Sequence, residues 1–294
     1  MEQWQPLRVY IVGQRENFCR VLATNLQCWG FETVLMPSMA TLCNDARAGD
    51  VVLYDLDDSF YPVRTANNAP ASQHTLLNWD FQADSQFLLI LSSRSVSRTM
   101  LEQLGAVALL QKPFEMGRLQ RYLHILQRLV SSVGIACQAS LSEPMTSPQP
   151  YEQAQPAGAA SACSSSRGHE KLRVLVVDDD VDVAQAICQC LAYEPGYEVA
   201  VAYDGLGALE RCLDWLPHCI VTDLIMPWMN GYQVMRCLSV SSWPAMPAFV
   251  VMSALTQLEL PMDRLYLKGK AVAYVDKPFH IEHLLTAIRH VCAG

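Results

Sequence analysis

Five short apolar runs in the second half of the chain alternate with stretches of helical periodicity. This alternation constrains the fold more than any other feature, because strands that alternate with helices predict a parallel sheet with helices on both faces. The predicted strands read RVLVV, YEVAVA, CIVTD, AFVVMS and AVAYV, in chain order from Arg173 to Val275. Helices are expected between and after them, at about 182–192, 204–215, from 231, around 255–268 and from 281.

A segment of different composition precedes this half. Residues 131–170 include the stretch SEPMTSPQPYEQAQPAGAASACSSSRG, which is rich in Pro, Ser, Ala, Gln and Gly and has no hydrophobic period. Such a segment buries too little apolar surface to offset its conformational entropy, so we predict a disordered linker. The chain of 294 residues is therefore expected to hold two domains, at 1–130 and 171–294.

Composition and charge argue against several classes of function. The net charge is −8 and no segment carries a stripe of Lys and Arg, so direct nucleic-acid binding is not expected. No apolar run reaches the ~18 residues of a membrane span, and the N-terminus does not resemble a signal peptide, which favours a cytoplasmic location. The 11 cysteines are irregularly spaced, so we expect reduced thiols and not metal ligands.

Polar residues stand at the ends of the predicted strands of the second half. They are Asp178 and Asp179 after the first strand, Asp223 at the end of the third, Ser253 at the end of the fourth and Lys277 after the fifth. Because ligands bind at the carboxyl ends of parallel strands, we expect these side chains to meet. Clustered carboxylates need a cation, and Mg²⁺ suits oxygen ligands and a phosphate group. An ionised Asp223 is then a candidate nucleophile for a phosphoryl group.

Four of these segments resemble one known family. LVVDDD, VTDLIMPWMNG, VVMSA and YVDKPF are similar to the signature segments of response-regulator receiver domains, and the resemblance covers residues 171–294. It implies an α/β, flavodoxin-like doubly wound (βα)5 fold with a five-stranded parallel sheet. It also implies two-component phosphorelay signalling, in which Asp223 accepts a phosphoryl group.

The resemblance assigns a role to each residue of the site. It implies that Mg²⁺ is bound by Asp178, Asp179, Asp223 and the backbone carbonyl of Ile225. Ser253 and Lys277 would bind the phosphoryl oxygens, and Tyr274 would be the aromatic side chain that rotates on phosphorylation. Pro278 would follow a cis peptide bond, and Met226, Pro227 and Gly231 match the turn after the acceptor strand. Ile225 and Leu255 occupy positions that tune the lifetime of the phosphoryl group, and both are apolar, so we expect a long-lived aspartyl phosphate.

The first half repeats the pattern of the second at nearly constant spacing. RVYIVGQREN, VVLYDLDD, LLILSS and ALLQKPF resemble RVLVVDDDVD, CIVTDLIM, FVVMSA and AYVDKPF, so residues 1–130 are expected to form a second receiver-like fold. Asp55, Ser92 and Lys112 take the places of Asp223, Ser253 and Lys277.

The repeat departs from the pattern where the chemistry depends on it. Gly13 and Gln14 replace the acidic pair, which removes two charges from the metal site, and Leu109 replaces the aromatic residue. Compensation by Asp57 or Asp58 would be weak. We therefore interpret residues 1–130 as a pseudo-receiver with a role in interaction or regulation.

Two other interpretations stay open. VVLYDLDDSF also resembles the first motif of haloacid-dehalogenase-type phosphatases, with Asp55 as nucleophile and Asp57 as general acid. That alternative needs Asp178 and Asp179 from beyond the linker and leaves Asp223 without a role. The chain could also be the C-terminal tandem-receiver part of a hybrid sensor histidine kinase, although no dimerisation helix with a histidine or ATP-binding boxes are recognised.

The receiver resemblance implies partners as well. The donor would be a histidine kinase or a histidine phosphotransfer protein. Because no output domain is recognised in the sequence, the signal is expected to pass to a downstream protein partner, with a phosphorylation-dependent dimer as one form of output. No stand-alone turnover enzyme is expected, since a receiver catalyses only its own phosphoryl transfer.

Overall fold

The computed structural model describes residues 7–42, 46–57, 86–139, 171–241, 243, 246–254 and 272–293. Over these residues the chain forms two sheets, each of five parallel strands, with helices packed on them. Among the described residues, all but one of the strands in each unit are followed along the chain by a helix. We call the part up to residue 139 the first unit and the part from residue 171 the second unit.

The first unit contains strands β1 to β5, arranged in the order β2-β1-β3-β4-β5. Its strands are β1 (Arg8–Val12), β2 (Glu32–Met36), β3 (Val51–Asp55), β4 (Phe87–Ser92) and β5 (Ala106–Gln111). Its helices are α1 (Glu16–Cys28), α2 (Met39–Leu42), α3 (Arg98–Leu104) and α4 (Met116–Ala139).

The second unit contains strands β6 to β10, arranged in the order β10-β9-β8-β6-β7. Its strands are β6 (Leu172–Val177), β7 (Tyr197–Ala202), β8 (Cys219–Asp223), β9 (Ala248–Ser253) and β10 (Val272–Asp276). Its helices are α5 (Val181–Ala192), α6 (Gly205–Trp215), α7 (Gly231–Val240) and α8 (Ile281–Cys292).

The two sheets have the same strand order when each is read from its own first strand. In each unit the first strand lies between the second and the third, so the order reverses beside the first strand, where α/β sheets bind ligands. This confirms the predicted fold class, two flavodoxin-like α/β units. The predicted strands of the second unit agree with the observed ones to within a residue at each end.

Alternating side chains of the central strands explain how helices cover both faces of the second sheet. Val174 and Val176 pack in a cluster with α5 and α8, whereas Leu175 and Val177 pack in a cluster with α6 and α7. All four valine and leucine side chains are fully buried. A strand buried on both faces is expected to be a continuous apolar run, as the sequence here is.

The turn after β8 requires a glycine. A Cβ atom on Gly231 would lie 2.6 Å from the carbonyl oxygen of Asp223 and 2.7 Å from Oγ1 of Thr222. Asn230 precedes it as the N-cap of α7 and forms a capping box with Gln233. The glycine and the cap together allow α7 to begin directly against the end of β8.

Predictions for the linker, for the helix around 255–268 and for Asp58 fall at or beyond the limits of the described residues. The linker was expected to begin at residue 131, but α4 continues to Ala139, so this boundary is wrong. Residues 140–170, the rest of the predicted linker, lie outside the described residues, as do the helix expected around 255–268 and residues 58–85. Within the described part of the chain, no helix is both long enough and apolar enough to cross a bilayer.

The two units pack against each other through α4 and β5 of the first and α6 and α7 of the second. One hydrophobic cluster contains buried side chains of both units, among them Leu126 and Leu238. The hydroxyl of Tyr122 lies 3.3 Å from Sγ of Cys237. Nε of Arg236 donates a hydrogen bond of 2.9 Å to the carbonyl oxygen of Gly105.

Candidate functional site

The second sheet brings the predicted site residues together at the carboxyl ends of its strands. Nζ of Lys277 donates to Oδ2 of Asp178 at 2.9 Å and to Oδ2 of Asp223 at 2.8 Å. The backbone amide of Lys277 donates to the carbonyl oxygen of Ser253 at 2.7 Å, which fixes the end of β10 beside that of β9. The Lys277–Pro278 peptide bond is cis.

Burial and hydrogen bonds orient the two carboxylates. Asp178 is 1% exposed and Asp223 is 9% exposed. Oδ1 of Asp178 accepts a hydrogen bond from the amide of Asp180, and Oδ1 of Asp223 accepts one from the amide of Ile225. Burial lowers the pKa of Lys277, but its bonds to Asp223 and Asp178 outweigh this effect and raise the pKa, so the ammonium stays charged.

The carboxylates of Asp178, Asp179 and Asp223 match the ligand chemistry of a divalent cation. One carboxylate oxygen from each lies within 4.8 Å of the others. Their three negative charges are opposed by the single positive charge of Lys277, so the cluster has negative charge in excess. Hard cations such as Mg²⁺ bind oxygen ligands of this kind. The donor set of the second unit therefore fits such an ion.

Tyr274 lies on β10 beside Val251 of β9 and is half-buried. Burial raises the pKa of its hydroxyl, and the charges of Arg98 and Glu102 also act on that pKa, the first lowering and the second raising it. Both of those residues belong to α3 of the first unit. The side chain predicted to report phosphorylation is thus within electrostatic reach of the other unit.

The loop between β8 and α7 borders the site. Ile225 is 55% exposed. Trp228 has a left-handed backbone, with φ of 70°, and its ring lies 4.4 Å from the guanidinium of Arg118 in α4. This cation–π contact joins the loop to the first unit.

The corresponding edge of the first sheet holds a different constellation. Nζ of Lys112 donates to Oδ1 of Asp55 at 2.6 Å and to Oδ2 of Asp57 at 3.2 Å. Asp57 also accepts hydrogen bonds from Oγ of Ser92 at 3.2 Å and from the amide of Ser93 at 2.9 and 3.0 Å. The residues Asp55, Ser92 and Lys112 meet as the repeat predicts, with Asp57 added to them.

The sequence singled out Asp57 only as a weak metal ligand or as the general acid of the phosphatase alternative. It is 4% exposed and its carboxylate is held by three residues. Burial acts to raise its pKa, but the hydrogen bonds from Ser93 and Lys112 prevail and lower the pKa below its ordinary value. The signal that could have identified it is its spacing, two residues after the strand-end Asp55, where the second unit has an isoleucine.

The phosphatase alternative loses its support. It requires Asp178 and Asp179 to act together with Asp55, yet Asp178 is bonded to Lys277 at the edge of the other sheet. The cysteines whose side chains the structure describes are not in disulfide bonds, and the acidic cluster of the second unit is the group of possible metal ligands found among the described residues. Burial raises the pKa of Cys212 and of Cys237 to about 12, so both are protonated thiols inside the core.

Comparisons with known proteins show what the second unit is similar to. Residues 174–289 match the family model described as response regulator receiver domain. Response regulator MprA of Mycobacterium ulcerans (strain Agy99) is 36% identical over 119 residues, which cover 40% of this chain and 49% of that protein. The response regulator domain of Thermotoga maritima CheB is 26% identical over 42% of this chain and 98% of that one, with a TM-score of 0.37.

A further relative corrects one expectation. Protein-glutamate methylesterase/protein-glutamine glutaminase 5 of Myxococcus xanthus (strain DK1622) is 41% identical over 108 residues, which cover 36% of this chain and 30% of that protein. The expectation that no stand-alone turnover enzyme is present is therefore wrong, because a relative of this chain is an enzyme. The chain spans about half or less of the length of these curated relatives.

The two units resemble a receiver domain in different respects. The first unit resembles a receiver in its strand order and in the placement of Asp55, Ser92 and Lys112. The second unit has the same strand order, the acidic cluster and the match to the family model. Residues 174–289 of this chain form a response regulator receiver domain.

Proposed function

We propose that this chain is a two-component phosphorelay protein whose second unit accepts a phosphoryl group on Asp223. The observation that carries the proposal is the position of the Asp223 carboxylate, which accepts a hydrogen bond from the Lys277 ammonium and offers an oxygen within 4.8 Å of oxygens of Asp178 and Asp179. A strand-end carboxylate that is 9% exposed can be reached by a donor yet is shielded from bulk water.

Asp223 acts as the nucleophile. One carboxylate oxygen forms a bond to phosphorus while the bond between phosphorus and the donor's histidine nitrogen breaks, and the electron pair of that bond stays on the nitrogen. The Lys277 ammonium, 2.8 Å from Asp223, offers a positive charge to the transferred oxygens, and the Ser253 hydroxyl offers a hydrogen bond.

Mg²⁺ would be bound by Asp178, Asp179, Asp223 and the backbone carbonyl of Ile225. Bound there, the ion supplies positive charge that offsets the negative charge of the phosphoryl oxygens. Asp178 orients this region, because its Oδ2 holds Lys277 and its Oδ1 accepts the amide of Asp180. Asp179 is exposed, so its carboxylate is accessible to solvent and to a protein partner.

Donor and output follow from the same proposal. The donor is a histidine kinase or a histidine phosphotransfer protein, since an aspartyl carboxylate receives its phosphoryl group from histidine in this family. Output passes through protein contacts, to a downstream partner or to a second copy of the chain, after Tyr274 responds to the bound phosphoryl group through Ser253. The origin of the chain as part of a hybrid sensor kinase stays a prediction.

Labelling with a small phosphodonor tests the proposal. Purified protein is incubated with acetyl phosphate and Mg²⁺, and its intact mass is measured for the wild type, Asp223→Asn and Asp55→Asn. We expect one added phosphoryl group in the wild type and in Asp55→Asn, and none in Asp223→Asn. Equal labelling of Asp223→Asn, or no labelling of any sample, would contradict the proposal. The predicted long lifetime is checked in the same samples, because decay within seconds after removal of the donor would disprove it.

A further inference from the structure

Asp57 fills a place in the first unit that its counterpart leaves open in the second. Asp57 stands two residues after Asp55, as Ile225 stands two residues after Asp223. The side chain of Asp57 is turned inward and is 4% exposed, whereas Ile225 is 55% exposed. Both amides donate to Oδ1 of the preceding strand-end aspartate, Asp57 at 3.2 Å and Ile225 at 3.1 Å, so the backbones match and the side chains differ.

Three donors of different kinds converge on the Asp57 carboxylate. They are the hydroxyl of Ser92, the backbone amide of Ser93 and the ammonium of Lys112, which come from the ends of β4 and β5. A hydroxyl, an amide and an ammonium that face one point form a pocket for an anion with several oxygen atoms. In the second unit the same donor types belong to Ser253, Ala254 and Lys277.

The partners of the two lysines show how the first unit differs. Lys277 bonds Asp223 and Asp178. Lys112 bonds Asp55 but has Gly13 where the second unit has Asp178, and its second carboxylate is Asp57. If the Asp57 carboxylate served only to neutralise the charge of Lys112, its contact with that ammonium would be enough. The additional bonds from Ser92 and Ser93 place the carboxylate in the anion pocket itself.

We propose that the Asp57 carboxylate is a built-in substitute for a phosphoryl group in the first unit. It occupies the anion position beside Asp55 and engages the donors that would otherwise bind phosphoryl oxygens. The first unit therefore keeps the anion-bound arrangement without phosphorylation, and Asp55 is closed to phosphoryl transfer. This inference rests on the correspondence between the units and not on phosphorylation of Asp223.

A first unit that stays in one conformation would suit its contact with the second unit. The donors to Asp57 lie at the ends of β4 and β5, and β5 begins after Gly105, whose carbonyl oxygen accepts the hydrogen bond from Arg236 of the second unit. A helix and strand surface that does not respond to phosphorylation is a constant contact surface. The second unit then changes its conformation against a first unit that stays unchanged.

Nuclear magnetic resonance of the unaltered chain tests the two sites separately. Beryllofluoride with Mg²⁺ is added as a phosphoryl analogue, and the amide resonances of Ser93 and Ala254 are followed. We expect the Ala254 resonance to shift and the Ser93 resonance to stay in place. A shift at Ser93 would overturn the inference about Asp57, whereas an unchanged Ala254 would count against the proposed function alone.

Removal of the carboxylate should reopen the pocket. In Asp57→Ala, inorganic phosphate is expected to raise the melting temperature of the full chain, and it should leave the wild type and Asp57→Ala/Lys112→Met unchanged. Asp57→Asn keeps the shape of the side chain and should be destabilised without any response to phosphate. The inference fails if phosphate stabilises the wild type or Asp57→Asn, or if folded Asp57→Ala does not respond to phosphate. If Asp57→Ala does not fold, Asp57→Asn and the resonance of Ser93 still decide the matter.

Discussion

Single side chains distinguish the two sheet edges more than their backbones do. Each edge has a strand-end aspartate, a serine and a lysine. The second adds Asp178 and Asp179, which leave an excess of negative charge for a cation. The first adds Asp57, whose carboxylate accepts hydrogen bonds from the amide of Ser93 and the ammonium of Lys112. The proposed site for an ion and a phosphoryl group and the proposed site that needs neither would thus differ by few substitutions.

Asp57 should make the first unit sensitive to acid. Its folded-state pKa lies below the ordinary value of 3.8, so it contributes stability above that pH and loses the contribution as pH falls through the lower, folded-state pKa. The charged side chains that face it are Asp55 and Lys112. We expect the free energy of unfolding of the wild type to fall more steeply than that of Asp57→Asn between about pH 5 and about pH 3. Chemical denaturation at a series of pH values measures this, and parallel curves would contradict it.

Mg²⁺ should stabilise the second unit, because a ligand that binds only the folded state raises its stability. We expect the melting temperature to rise with Mg²⁺ in the wild type, to return after chelation, and to respond little in Asp178→Asn. Asp180→Asn is the matched control, since Asp180 lies next to the cluster but serves as the N-cap of α5, a role that asparagine also fills. A full Mg²⁺ response in Asp178→Asn would be evidence against the assigned ligands.

At the level of elements, the sequence predicts those parts whose patterns are local. The strands of the second unit are short and largely apolar, and two of its helices have clear N-caps, Asp180 and Asn230. The end of α4 was missed because Ser131, Ser132 and Gly134 are poor helix formers, yet the helix continues through them. The inward direction of Asp57 could not be predicted, because it depends on donors that come from β4 and β5.

Substitution of Gly231 should destabilise the protein, because this glycine allows β8 and α7 to lie in close contact. Alanine there would bring Cβ to 2.6 Å from the carbonyl oxygen of Asp223, so β8 and α7 would have to separate. We expect Gly231→Ala to lower the free energy of unfolding by about 1–3 kcal/mol and to reduce labelling of Asp223. Gly117→Ala is the control, because no atom lies within 4 Å of its added Cβ. Equal stability of both variants in a denaturant titration would refute this account of the turn.

In the whole molecule, the interface between the two units is buried at its centre and has ion pairs at its edge. Arg121 forms two hydrogen bonds with Glu210, at 2.8 and 2.6 Å, and Arg128 contacts Asp214 at 2.5 Å. These partly exposed pairs contribute roughly 0.2–1 kcal/mol each, so they orient the units more than they hold them. The buried centre, with Tyr122 against Cys237, contributes more because it removes apolar surface from water. The sequence could not predict this contact, because each helix surface is ordinary by itself.

Thiol reactivity reports whether the units separate. Burial raises the pKa of Cys237 to about 12, and the thiol is covered in part by Tyr122, so it should resist alkylation at mildly alkaline pH. Tyr122→Ala should make Cys237 react faster, whereas the exposed Cys28 and Cys190 react at similar rates in both proteins. Mass mapping of the alkylated peptides measures each rate. Reaction of Cys237 as fast as that of Cys190 in the wild type would show that the contact is not maintained.

We propose that Asp223 accepts the phosphoryl group and that Asp55 does not. Reduction with borohydride after incubation with acetyl phosphate and Mg²⁺ converts an aspartyl phosphate to homoserine, which peptide mass mapping assigns to a position. We expect homoserine at residue 223 and unmodified aspartate at residue 55. Homoserine at residue 55, or its absence from residue 223 in a labelled sample, would contradict it.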